Sequence, residues 1–146
     1  MRKIDIPTVE IDGEEYPIYC DLYVLSQIQE RMDINDFERG IIGVEVVRDE
    51  DGNPEHDENG NIHLVRGKYD IGAMIMGLTL MINEGMMIDA EQNGKEYDPV
   101  DEKYLARACD MSLVQLSNVI HEAFGRCLIS KKNRKKAASR KKNTYI

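Results

Sequence analysis

The chain of 146 residues lacks any uncharged run long enough to cross a bilayer: the longest, Ile71 to Asn83, falls short of the roughly 20 residues a spanning helix needs. A secretory signal is also missing, since the opening Met1-Arg2-Lys3-Ile4-Asp5-Ile6-Pro7 reaches an acid at its fifth residue and has no apolar stretch behind the basic start. Cysteine is scarce and odd in number. Cys20, Cys109 and Cys127 have no C-x-x-C spacing and lie among apolar residues, which predicts reduced core thiols. The three histidines, His56, His63 and His121, lack any zinc-ligand spacing, and no nucleophile elbow, phosphate-binding glycine loop or HEXXH motif occurs. These absences leave no specific arrangement for catalysis, and neither a cofactor nor a metal is expected.

Acids are missing from one region only. All 27 lie before Lys131, together with eleven of the nineteen basic residues, so that part carries −16. The remainder carries +8, from Lys131, Lys132, Arg134, Lys135, Lys136, Arg140, Lys141 and Lys142. An acidic body repels nucleic acid and anionic membranes at long range, although a basic arm alone can hold phosphates nonspecifically. The tail has only Tyr145 beyond its basic run, without the interleaved aromatics that single-strand binders use for stacking.

The 42% hydrophobic and 32% charged residues are those of a soluble globular protein, and the length suits one domain. That domain is expected over residues 1–130, followed by a basic, flexible tail over 131–146. The expected class is α+β, predominantly helical: a small helical core with peripheral β-hairpins.

Ile4 to Ile11 alternates apolar and polar residues, Asp12-Gly13 makes a turn, and Glu15 to Tyr19 returns as a second strand, with Pro7 and Pro17 at edges or strand ends. Asp21 caps a helix on which Leu22, Leu25, Ile28 and Met32 recur at helical spacing. A second helical piece, Asp36 to Ile41, is capped within Asp33-Ile34-Asn35-Asp36 and closed by Gly40 or Gly43. Val44, Val46, Ile62 and Leu64 then predict a second hairpin with a long acidic tip. Its Asp49, Asp51 and Asn53 alternate as in a calcium loop, but Pro54 and Gly60 stand where that loop requires a glycine and an acid.

Asp70 caps the most apolar helix, with Ile71, Met74, Ile75, Leu78, Met81 and Ile82 on its inner face and Asn83-Glu84-Gly85 as its stop. A small hairpin or loop around Gln92-Asn93-Gly94 follows. Asp98-Pro99 opens a short helix with Leu105, Ala108 and Cys109 inside. Ser112 to Gln115 is a capping box for the last helix, in which Leu113, Leu116, Ile120, Phe124, Cys127 and Leu128 keep helical spacing.

Methionine is concentrated instead: Met74, Met76, Met81, Met86 and Met87 lie close together, and flexible thioether side chains suit both core filling and adaptable binding. Met74, Leu78, Met81, Met86 and Met87 are therefore candidate partner-binding residues, with Lys131, Lys132, Arg134, Lys135 and Lys136 as candidates in the tail.

The segment from Ile6 through Ile11-Asp12-Gly13 and Tyr16-Pro17, the helix after it, Met81-Ile82-Asn83-Glu84-Gly85 and Tyr97-Asp98-Pro99 come in an order that resembles the tail assembly chaperones of long-tailed bacteriophages and prophages, especially those of Gram-positive hosts. The likeness covers roughly Ile6 to Ile129. It implies a non-enzymatic protein of the host bacterial cytoplasm, absent from the mature virion. Such a protein binds the tape-measure protein, keeps it soluble, recruits tail-tube protein and self-associates; in many phages a frameshift gives a longer form. The competing reading is a small nucleic-acid-binding regulator that uses the basic C-terminal arm.

Overall fold

The structure, a computed structural model, describes residues 3–128. Residue 130, where the expected domain ends, lies outside the described residues, as do all the tail candidates from Lys131 to Lys136. Within them the fold is α+β and mostly helical, as the pattern predicts, with two small antiparallel hairpins.

The first hairpin pairs β1 (Thr8–Ile11) with β2 (Glu14–Pro17) in the register Val9↔Tyr16. Asp12 and Gly13 both take positive φ, 51° and 79°, which matches the twist of a two-residue turn to its strands. Val9, Ile11 and Tyr16 point into the core. Pro17 ends its strand, where the missing N–H costs no ladder bond.

Asp21 caps α1 (Leu22–Gln29), its carboxylate accepting from the Val24 N–H at 3.0 Å. The expected inner face is rotated: Leu22 is 77% exposed, while Val24 and Ile28, four residues apart, are fully buried. Asp33 caps α2 (Ile34–Ile42), which Gly43 ends at φ 74°. Its Ile41 carbonyl would lack an intrahelical partner, and the buried Ser117 hydroxyl donates to it at 2.6 Å.

α3 (Ile71–Asn93) is the hub, packing against β2 and each of the other helices. Asp70 caps it as expected, accepting from Ala73 N–H, but Asn83-Glu84-Gly85 does not stop it. The helix continues through Met86 and Met87, so no hairpin or loop forms before Gly94, which is the left-handed C-cap at φ 62°. Gly85 serves close approach instead of termination. A Cβ there would lie 2.7 Å from the Pro17 carbonyl carbon and oxygen, and Tyr19 N–H donates to the Met81 carbonyl at 3.0 Å. Buried residues occur on nearly every side of α3, although Ile71, expected inside, is exposed. At 23 residues α3 is also long and apolar enough to cross a membrane by composition, so length alone does not exclude a span; 56% of its most apolar window is buried within the fold, as in a core helix.

The fourth helix starts later than the Asp98-Pro99 signal suggests: α4 spans Glu102–Ala108, with Asp101 at its N-cap position. Just ahead of it the Asn83 side chain accepts from Val100 N–H (2.8 Å) and donates to the Val100 carbonyl (3.1 Å), tying that segment to α3. α5 (Leu113–Leu128) opens with the expected capping box, Ser112 Oγ accepting from Gln115 N–H and Gln115 Oε1 from Ser112 N–H. Leu116, Ile120 and Phe124 are buried, whereas Leu113 and Leu128, at the two ends, are exposed. The Phe37 and Phe124 rings meet at 5.4 Å in a tilted arrangement over Gly77.

The second hairpin, β3 (Val44–Val46) with β4 (Leu64–Arg66), projects as an arm. Its expected long tip is itself folded. Val47 N–H donates to His63, His63 N–H to Glu55 and Glu55 N–H to Val47, closing a ring of three backbone bonds between 2.7 and 2.9 Å. Two equivalent turns, Asp49-Glu50-Asp51-Gly52-Asn53 and Asp57-Glu58-Asn59-Gly60-Asn61, connect the three segments. In each, the first Asp accepts from the backbone N–H groups two and four residues on, and the glycine takes positive φ.

Candidate interaction surfaces

The candidate partner-binding residues divide by burial. Met74, Leu78 and Met81 have no exposed surface and are packed within the core. In this fold β2 and the other helices cover those three, so a partner reaches them only if the core opens. Met86 and Met87 are half-buried, one turn further along α3, where the surrounding elements thin out.

Met87 opens onto a groove of about 580 Å³ between the last turns of α3 and the irregular segment after it. Met87, Ala90 and Tyr97 supply its apolar part, and Glu91, Glu96 and Asp98 its carboxylates. Lys95 is in the lining too, but its ammonium is held by Asp89 at 2.8 Å. Gln92, on the same last turns, hydrogen-bonds both backbone groups of Ile4 and ties the N-terminal segment to this end of the helix.

Two turns before Glu91, Glu84 stands beside Asp21. Partial burial, the hydrogen bond and charge of Asp21 and the charge of Glu91 together push its carboxyl up to about 8. Next to this pair lies Cys20, whose thiol is pushed up by burial first and then by contact with the Cys127 thiol. The pair belongs to segments 107 residues apart in sequence and consists of two thiols. They are core-packed thiols, as the isolated spacings suggest, though their meeting was not legible in the sequence. Tyr16 is likewise raised, by its hydrogen bond with Tyr104 and then by burial.

Glu84 gives a pH prediction. Its folded-state affinity for a proton exceeds that of the unfolded chain, so its stabilising contribution is full below the ordinary carboxylate range and fades as pH rises through about 8. Glu84→Gln keeps the neutral shape at every pH. Thermal melts of the two chains should coincide at about pH 4 and separate as pH rises to about 8, the glutamine variant becoming the more stable; a gap independent of pH would contradict the raised Glu84 carboxyl.

Among the described residues no group of three or more His, Cys, Asp or Glu side chains is placed to hold a metal ion. The arm's Asp49 and Asp57 spend a carboxylate oxygen on backbone N–H groups. Exposed apolar side chains include Ile62, Leu64 and Val65 on the arm, Leu22 and Tyr23 at the start of α1, and Leu113 and Val114 at the start of α5. The sequence reading placed its candidates on the most apolar helix, and the most apolar helix is the one a fold buries. Compared with protein-family models, with curated proteins and with solved structures, the chain matches none.

Proposed function

We propose that this chain is a tail assembly chaperone that binds a phage tape-measure protein, keeps it soluble in the host cytoplasm, helps recruit tail-tube protein, and leaves before the virion is complete. The observation that carries the reading is where the quoted segments fall. Tyr16-Pro17 abuts Gly85, Tyr19 bonds Met81, and Asn83 clamps Val100 just after Tyr97-Asp98-Pro99. That these segments, or residues next to them, lie against one another supports reading them together as one unit.

The physical requirement is apolar surface that can cover a long helical client, with enough charge to keep the complex dispersed. Half-buried Met86 and Met87 and the exposed Leu64, Leu113 and Val114 supply that surface, on a body of charge −16, while Met74, Leu78 and Met81 hold the fold. Apolar burial is not screened by ions. A complex with a tape-measure protein encoded beside this chain should therefore co-purify at about 0.1 M salt and survive at about 1 M, where the Debye length falls from about 10 Å to about 3 Å. Dissociation at high salt would mean that charge, not apolar surface, makes the contact, and would favour the nucleic-acid reading of the tail.

A further inference from the structure

We propose that one face of the β3–β4 arm is a docking surface for a basic amphipathic helix, with Val46, Ile62 and Leu64 taking its apolar stripe and the two acidic turns its lysines and arginines. The inference rests on the client reading and deepens it, because it names the kind of client segment that the arm takes.

Pairing within the arm settles which side chains share that face. Val46 stands opposite Leu64, Arg48 opposite Pro54, and His56 opposite Ile62. Antiparallel partners project from the same side of a sheet, and neighbours along a strand from opposite sides. Those six therefore lie together. Val47, Glu55 and His63, which sit between them and close the ring of backbone bonds, face the other way. Two contacts agree with this division: Glu55 and His63 approach to 3.9 Å, and Glu45, in phase with them, lies over Gly67. Around the junction Ile62, Leu64 and Val46 are consecutive, with Pro54 across from them, so the first face is mainly apolar and the second mainly polar.

The apolar face is open to solvent. Ile62 and Leu64 are 46% and 45% exposed, Pro54 is exposed, and no residue from 44 to 66 joins the core cluster. An apolar patch with a polar rim, on a branch that adds nothing to the core, marks an interaction site.

Charge selects the occupant. Residues 44–66 hold seven acids against two arginines, and Glu50, Asp51 and Glu58 of the two turns form no ion pair among the described residues. A nucleic acid is repelled, and so is the same face of a second copy, which brings the same excess of acid. A helix whose apolar stripe is flanked by lysine or arginine meets both demands: the stripe covers Ile62 and Leu64, and the cations reach the turns on long methylene stems. Charge then governs the choice of segment and the speed of encounter, while apolar burial holds the complex at high salt.

Two synthetic helices test this with the full chain, one with a leucine stripe flanked by lysines, the other with each lysine replaced by glutamate. Binding is followed by chemical-shift changes in the isotope-labelled protein. At about 0.1 M salt the lysine peptide should bind about tenfold more tightly than the glutamate peptide and shift the signals of Val46, Ile62 and Leu64. Leu64→Ser should weaken it about tenfold, whereas Val65→Ser, the next residue, on the opposite face and nearly as exposed, should leave it unchanged. Glu50→Lys combined with Glu58→Lys alters no side chain that bonds the backbone of the turns, and should abolish the preference for lysine. Equal binding of both peptides, equal effects of the two serine variants, shifts confined to the start of α5 or the end of α3, or dimerisation through Ile62 and Leu64 in place of peptide binding would each overturn the proposal. The client itself separates the two readings. If the arm takes the lysine peptide as described and the client still sediments, the docking surface stands and the client reading falls. If the peptide binds elsewhere and Leu64→Ser keeps the client soluble, the docking surface falls and the client reading stands.

Discussion

Leu78→Ala is expected to lower the unfolding free energy by about 2 to 5 kcal/mol, the range for truncating a leucine in a closed core. Leu78 has no exposed surface and sits at the middle of α3, within the core that the surrounding helices complete. The lost methyl groups forfeit their transfer energy, and the space they leave cannot collapse without moving a helix that every other helix touches. Because the side chain reaches no surface, the variant well below its melting temperature should hold a client as the parent chain does. Denaturant unfolding at constant slope measures the first claim, and co-purification the second. A loss under about 0.5 kcal/mol, ordinary for a surface position, would put Leu78 outside the core. Lost client binding in a chain that is still folded would return it to the partner surface.

Gly85→Ala carries the second large effect, and its sign is the informative part. In a helix interior, alanine is favoured over glycine by about 1 kcal/mol. At Gly85 the new Cβ would meet the Pro17 carbonyl group and Ile18 nitrogen at under 3 Å, and these are backbone atoms fixed by the β2 pairing and by the Tyr19 to Met81 hydrogen bond. Overpacking of that kind costs about 1 to 3 kcal/mol and sometimes more, so a net loss of stability is expected despite the propensity gain. Gly125, inside α5 with nothing among the described residues within 4 Å of its would-be Cβ, is the control. Gly125→Ala should raise the melting temperature while Gly85→Ala lowers it. If both variants rise, the connection from β2 to α1 stands clear of α3, and the joint between the two segments that resemble the chaperone family does not exist.

The same glycine shows why part of the fold was legible in the sequence and part was not. Caps were readable because they are local: Asp21, Asp33 and Asp70 each bond a backbone N–H three residues on, and the Ser112 and Gln115 pair is reciprocal. The Asp12-Gly13 turn was readable for the same reason. Gly85 was misread because glycine answers two different needs, a left-handed backbone or room for a neighbour, and the neighbour here is 68 residues away along the chain. Asn83 looked like part of a helix stop, yet its amide is spent across space on Val100, just ahead of α4.

On α1 the helical period was seen but its phase was not: Leu22 and Val24 both suit an apolar face, and only packing against α3 selects Val24. The arm's repeat of Asp-Glu-x-Gly-Asn at a spacing of eight was in plain view in the sequence, and would have predicted two like turns. For the candidate surface the apolar pattern pointed to residues that the fold packs inside. It marks what is removed from water, and in a chain of this size the first claim on Met74, Leu78 and Met81 is the core.

The central claim is that this chain keeps a long, apolar, helical tape-measure protein in solution through surface residues outside its core. The most direct measurement is the soluble fraction of that client, taken from the long gene product encoded next to this chain, when expressed alone and with it. The account predicts a client that sediments alone, stays in the supernatant in the presence of this chain, and co-elutes with several copies of it. A client that is equally insoluble with and without it, and never co-elutes, would contradict the account.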